Sequence, residues 1–130
     1  MAQEFPYDLD RRYLPLLLPL GFRPGHDRVT IDDEALVARL GFVRIRTARS
    51  NIEGAHITRD YRWWTSVGAR LSMVDDGLTL GTNHRAGVCI HFRDKVQSRL
   101  RPGGHSALTV TVADLDGLVA ALGPASPRTA

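Results

Sequence analysis

The chain has 130 residues, a length that points to one domain able to bury a core without disulfide or metal staples. Its hydrophobic content of 43% and charged content of 24% are those of an ordinary globular protein, and its single cysteine, Cys89, excludes an internal disulfide and any multi-cysteine zinc site. The net charge of +3 is mildly basic, and all but Lys95 of the 17 Lys and Arg residues are arginine, a usage that reads as the coding bias of a high-G+C genome.

Residues 1–25 read as an N-terminal strap against the sheet. Asp8 or Asp10 caps one or two helical turns carrying Tyr13, Leu14, Leu17 and Leu18, and Pro15 and Pro19 cut those turns short. The apolar run falls well below the roughly 20 residues needed to span a bilayer. The polar, acidic start lacks a signal-peptide pattern. A cytoplasmic protein with no membrane span is expected.

Residues 29–31 and 35–40 then read as short strands around an Asp32-Asp33-Glu34 bend. Residues 42–47 alternate strictly, with Val43, Ile45 and Thr47 on one face and Phe42, Arg44 and Arg46 on the other. Residues 51–58 are a weaker strand leading to Trp63-Trp64.

The stretch 69–92 reads as an antiparallel meander. Ala69, Leu71 and Met73 alternate with Arg70 and Ser72, and Asp76-Gly77 supplies the positive φ of a hairpin turn. Leu78 and Leu80 share a face. In the next strand Val88, Ile90 and Phe92 point one way, Cys89 and His91 the other. Residues 93–104 read as a basic loop, and 107–112 as a last strand rich in β-branched residues. Residues 114–122 form a helix opened by Asp114 or Asp116, with Leu115, Leu118, Val119 and Leu122 as one apolar stripe. Gly123 and Pro124 end it, and 125–130 is expected to be a disordered tail.

The chain is therefore expected to be mainly β over 1–124, with about seven antiparallel strands in a barrel or orthogonal sandwich capped by one C-terminal helix. That order resembles the pleckstrin-homology-like fold, chiefly in the step from the Thr109-Val110-Thr111-Val112 strand into the 115–122 helix. The resemblance implies two nearly orthogonal antiparallel sheets with the helix closing a corner. Phosphoinositide-binding members carry a basic segment near the first hairpin, whereas Asp32-Asp33-Glu34 is acidic, which argues against that ligand here. The phrases NIEGAHITRDYRWW and GLTLGTNHRAGVCIHF also resemble a family of bacterial proteins from high-G+C genomes with no assigned activity.

Chemistry-bearing residues are few. Cys89 and His91 lie on one strand face, but a metal needs three or four ligands. His56, His84 and His105 lack ligand spacing along the chain. The pair therefore reads as a small buried cysteine and a strand histidine, with no catalytic residue, metal or cofactor assigned. Adjacent tryptophans on a strand face opposite ways, so one of Trp63 and Trp64 is a candidate for an exposed anchor beside Arg62. With Arg70, His84 and Arg85 they make the predicted binding surface of a small non-catalytic interaction domain, for a protein partner or a small ligand. Homodimerisation through exposed strand edges is an open alternative. Two others are a carrier or enzyme using the barrel interior near Cys89 and His91, and weak binding of nucleic acid or an acidic partner through Arg39, Arg44, Arg46, Arg62 and Arg70.

Overall fold

A computed structural model of the chain describes residues 3–23, 26–59, 68–71, 77–82, 86–98 and 103–122. Among these residues the fold is two sheets and a C-terminal helix. The first sheet is a four-stranded antiparallel meander of β1 (Gln3–Pro6), β2 (Arg28–Ile31), β3 (Ala35–Leu40) and β4 (Val43–Ala48). The second holds β5 (Ile52–Arg59), β6 (Gly68–Leu71), β7 (Leu78–Gly81), β8 (Ala86–Val96) and β9 (His105–Val110), in the spatial order β5-β8-β9-β7-β6.

The mainly β architecture with one C-terminal helix is the expected one. Four details refine it. Among the described residues there are nine strands where about seven are expected, in a four-stranded and a five-stranded sheet, an arrangement that fits the expected sandwich and not the barrel. Residues at the start of the expected strap form β1, which pairs with β2 through Phe5↔Val29. The first four residues of the basic loop expected at 93–104 are instead the end of β8, whose Val96 pairs with His105. Finally, 69–92 is not a simple meander. β6 and β7 pair antiparallel as expected, with Leu71 opposite Leu78, while residues 72–76, where the expected turn begins, lie outside the described residues; β9 then inserts between β7 and β8. It runs parallel to β7 and antiparallel to β8, so the sheet is mixed.

Alternation decides which faces meet. Val29, Ile31, Leu36, Ala38, Leu40, Val43 and Ile45 point inward from the first sheet. Leu78, Leu80, Val88, Ile90, Leu108 and Val110 come from the second, and the two sets share one core. Apolar side chains thus fill the space between the sheets. The terminal helix α2 (Leu115–Leu122) buries Leu118 in that core and packs Leu115, Val119 and Leu122 against it. Asp114 caps it by accepting from the Gly117 N–H at 3.0 Å, and the Arg49 guanidinium donates to the Ala121 carbonyl at 2.7 Å near its far end.

The N-terminal turns behave as their prolines dictate. Asp10 accepts from the Arg12 N–H at 3.1 Å, and a short helix α1 (Leu14–Leu17) follows. Leu17 is buried, whereas Leu18, expected to pack, is exposed. A polar knot ties this segment to the second sheet. The Thr82 hydroxyl donates to the Asp8 carbonyl at 2.9 Å, and the Thr82 N–H donates to the Thr111 hydroxyl oxygen at 2.7 Å.

Among the described residues, Tyr7 carries a buried side-chain polar atom that is left unsatisfied. Its hydroxyl is buried with no hydrogen-bond partner. Burial, reinforced by the charge of Asp27, pushes its pKa far above the ordinary phenol range. Leaving a polar atom dry costs about 1–3 kcal/mol. Tyr7→Phe removes that cost and keeps the ring, so it is expected to raise the unfolding free energy by about 1 kcal/mol in a urea titration.

Candidate functional site

Two clusters stand out, one on the outer face of each sheet. The first is the β3–β4 hairpin. Leu40 pairs with Val43, so Gly41 and Phe42 make the turn, with Gly41 at φ 60°. One step back along the ladder, Arg39 lies directly opposite Arg44. Both are exposed, and among the described residues neither forms a salt bridge. Like charges facing each other across a ladder are destabilising. Arg46 extends the same face, and its charge is one of the influences that hold the Asp32 carboxyl below its usual range, after the Ala35 and Glu34 N–H groups.

Phe42 is 69% exposed, yet it is positioned. Gly21 sits under its ring with φ 86°, and a Cβ at Gly21 would come within 3.2 Å of the ring carbon Cε1. A side chain there would push the ring by a few tenths of an ångström, and the positive φ itself favours glycine. A shallow open depression of about 300 Å³ lies on one side, lined by Arg23, His26, Asp27, Arg39 and Phe42. A second, of about 410 Å³, lies between Phe42, Arg39 and Arg44. Asp27 is buried, and its Oδ2 accepts from the Arg23 N–H at 3.0 Å and the Gly41 N–H at 2.8 Å. That carboxylate is the clamp under the turn, and the exposed rim is arginine and aromatic.

The second cluster is built by register. β5 and β8 pair His56 with Cys89 and Gly54 with His91. Cys89 and His91 are two residues apart on one strand, so all three side chains share the outer face. His56 Nδ1 lies 3.0 Å from His91 Nε2, and the rings stack with centroids 4.9 Å apart and planes at 20°. The cysteine sulfur and the two histidines offer ligand atoms that all fall within 4.8 Å of one another. Cys89 and His91 are half-buried, and His56 is exposed. Partial burial first, then the neighbouring His56, push His91 below the ordinary imidazole range, against an opposing influence of Glu53.

Of the predicted binding residues, Arg62, Trp63, Trp64, His84 and Arg85 lie outside the described residues, and so does the expected tail at 125–130. Arg70 lies on β6, paired with Thr79, in the second sheet, whereas Arg39 and Arg44 belong to the first. The five-arginine patch expected from sequence is thus confined, among the described residues, to Arg39, Arg44 and Arg46 on one face. Two features are not legible along the chain. Alternation puts Phe42 in the strand, whereas Gly41-Phe42 is the turn, a role that the glycine before it signals. His56 is brought to Cys89 by pairing across strands, which no spacing along the chain encodes. His105 is buried elsewhere, with Nε2 2.7 Å from the Ser98 hydroxyl.

No helix among the described residues is long and apolar enough to cross a membrane. Compared with known protein families, with curated proteins and with solved structures, the chain has no match.

Proposed function

We propose that the protein is a small non-catalytic binding domain that takes an acidic partner on the β3–β4 hairpin. The carrying observation is Arg39 directly opposite Arg44 beside the exposed ring of Phe42. The two arginines repel each other until an anion lies between them, and the seated ring offers a flat apolar surface to the same partner. This arrangement of cations around an aromatic platform suits a polyanion, with single-stranded nucleic acid as the simplest case. The meander followed by a second sheet and a C-terminal helix supports the pleckstrin-like reading of the scaffold, while the mixed second sheet departs from it. The packed interior favours a surface site over a carrier cavity.

Arg39→Glu separates binding from folding. It replaces a like-charge pair by an opposite-charge pair, so the hairpin gains on the order of 0.2–1 kcal/mol of stability. Binding should weaken at least about tenfold, because one contact is lost and a repulsive charge is added. The measurement is fluorescence anisotropy of a labelled single-stranded oligonucleotide, and of a labelled polyglutamate peptide, across a salt series. Wild-type affinity should fall steeply with salt, and an arginine that contacts phosphate accounts for about one unit of the log–log slope. Absence of binding to either polyanion at low salt, or equal binding by Arg39→Glu, refutes the reading.

A further inference from the structure

We propose that His56, Cys89 and His91 form a binding site for a borderline divalent transition metal of the zinc(II) class, on the outer face of the five-stranded sheet. Geometry carries it first. A tetrahedral ion held by nitrogen at about 2.0–2.1 Å sets two imidazole nitrogens roughly 3.3 Å apart. His56 Nδ1 and His91 Nε2 already lie 3.0 Å apart, and the thiol sulfur completes a set within 4.8 Å. The stacked rings must turn so that their lone pairs converge on one ion, while the backbone ladder between β5 and β8 fixes where all three side chains start.

The surroundings fit the same use. Gly54 stands opposite His91 on β5 and offers no side chain. Ala107 stands opposite His91 on β9, and Thr109 opposite Cys89. All three neighbours are small, which leaves room for the His56 ring to lie along the strand. The face is half-open to solvent, so three protein ligands leave a fourth position for water. One thiolate and two imidazoles suit zinc, or its spectroscopic substitute cobalt(II), whereas calcium and magnesium take oxygen ligands.

Binding balances in protons. Cys89 releases its thiol proton to solvent as the metal–sulfur bond forms. The ring that carries the proton shared between Nδ1 and Nε2 moves it to its other nitrogen, so both facing nitrogens present lone pairs. The site lies on a different sheet from the arginine hairpin, so Arg39→Glu leaves it intact.

The test is a cobalt(II) titration of the reduced full-length protein, followed by absorbance. One equivalent should bind, with a thiolate-to-cobalt charge-transfer band in the near ultraviolet and the visible bands of a four-coordinate site. Cys89→Ser should abolish the charge-transfer band. His56→Ala, at an exposed position that the fold does not need, should weaken binding beyond the 10–100-fold that loss of a mere supporting residue costs. Zinc should also slow alkylation of Cys89 by iodoacetamide in the wild type and have little effect in His56→Ala. A wild type without the charge-transfer band, a His56→Ala variant that binds as tightly as the wild type, or an alkylation rate insensitive to zinc would each overturn the site.

Discussion

Asp27→Ala is expected to destabilise the domain by about 3 kcal/mol. Hydrogen bonds to a charged group are worth roughly 1.5–3 kcal/mol each, and this carboxylate accepts two. Its Oδ2 holds the Arg23 N–H at 3.0 Å and the Gly41 N–H at 2.8 Å, from segments far apart in sequence. Alanine leaves both donors without a partner in a part-buried site, where the desolvation cost is not recovered. Asp27→Asn keeps one acceptor oxygen without the charge, so its loss should be smaller. The second readout is binding. Removing an acid beside the arginine hairpin makes the surface more positive, and electrostatics alone would strengthen polyanion binding. The clamp predicts the reverse, because Gly41 carries Phe42 and Arg39 flanks the turn. Weaker oligonucleotide binding by Asp27→Ala, measured where the variant is fully folded, supports the clamp. Stronger binding would show that charge matters and the turn does not.

Much of the fold was legible because alternation is a local signal. Val43, Ile45 and Thr47 facing inward, Arg44 and Arg46 outward, needed only the pleat of a single strand. The helix was legible from Asp114 and the stripe Leu115, Leu118, Val119 and Leu122, since capping and helical periodicity are both short-range. Strand partners were less accessible. The Leu71↔Leu78 pairing follows from the Asp76-Gly77 signal, but the insertion of β9 between β7 and β8 depends on contacts between segments distant in sequence. Residues 105–110 pair as well with a parallel as with an antiparallel neighbour, and nothing in their side chains states which. β1 was hidden for another reason. Its residues fall in the polar start that reads as part of the strap, yet an edge strand tolerates proline at its end, and Gln3–Pro6 is such an edge.

The two candidate sites divide along the same line. The arginine face was partly visible, because Arg44 and Arg46 alternate on one strand. Its sharpest feature, Arg39 against Arg44, required the register of the hairpin, which Gly41 sets. The His56–Cys89–His91 cluster was half visible as Cys89-x-His91. Its third member comes from a partner strand more than thirty residues earlier, as the 35-residue separation of His56 from His91 shows. Ligand motifs written along one chain miss a site assembled across a ladder.

Ile90→Ala and Cys89→Ala, one residue apart on β8, should differ severalfold in their cost to stability. Ile90 is fully buried, opposite Ala55 on β5 and Leu108 on β9, in the middle of the longest strand described. Truncating it removes transfer free energy and leaves a cavity that a central strand cannot collapse around, a loss of about 2–5 kcal/mol. With a urea m-value of about 1–3 kcal/mol/M, the midpoint falls by at least about 0.7 M. That is a large part of the 5–15 kcal/mol typical of a domain. Cys89 is half-buried on the opposite face, and its loss should cost about 0.5 kcal/mol. The contrast tests the alternation that puts the core on one side of β8 and the histidine–cysteine cluster on the other. A small effect at Ile90 with a large one at Cys89 would mean that the strand is turned over. The cluster would then be interior, and both the outer-face metal site and the sandwich core would have to be redrawn.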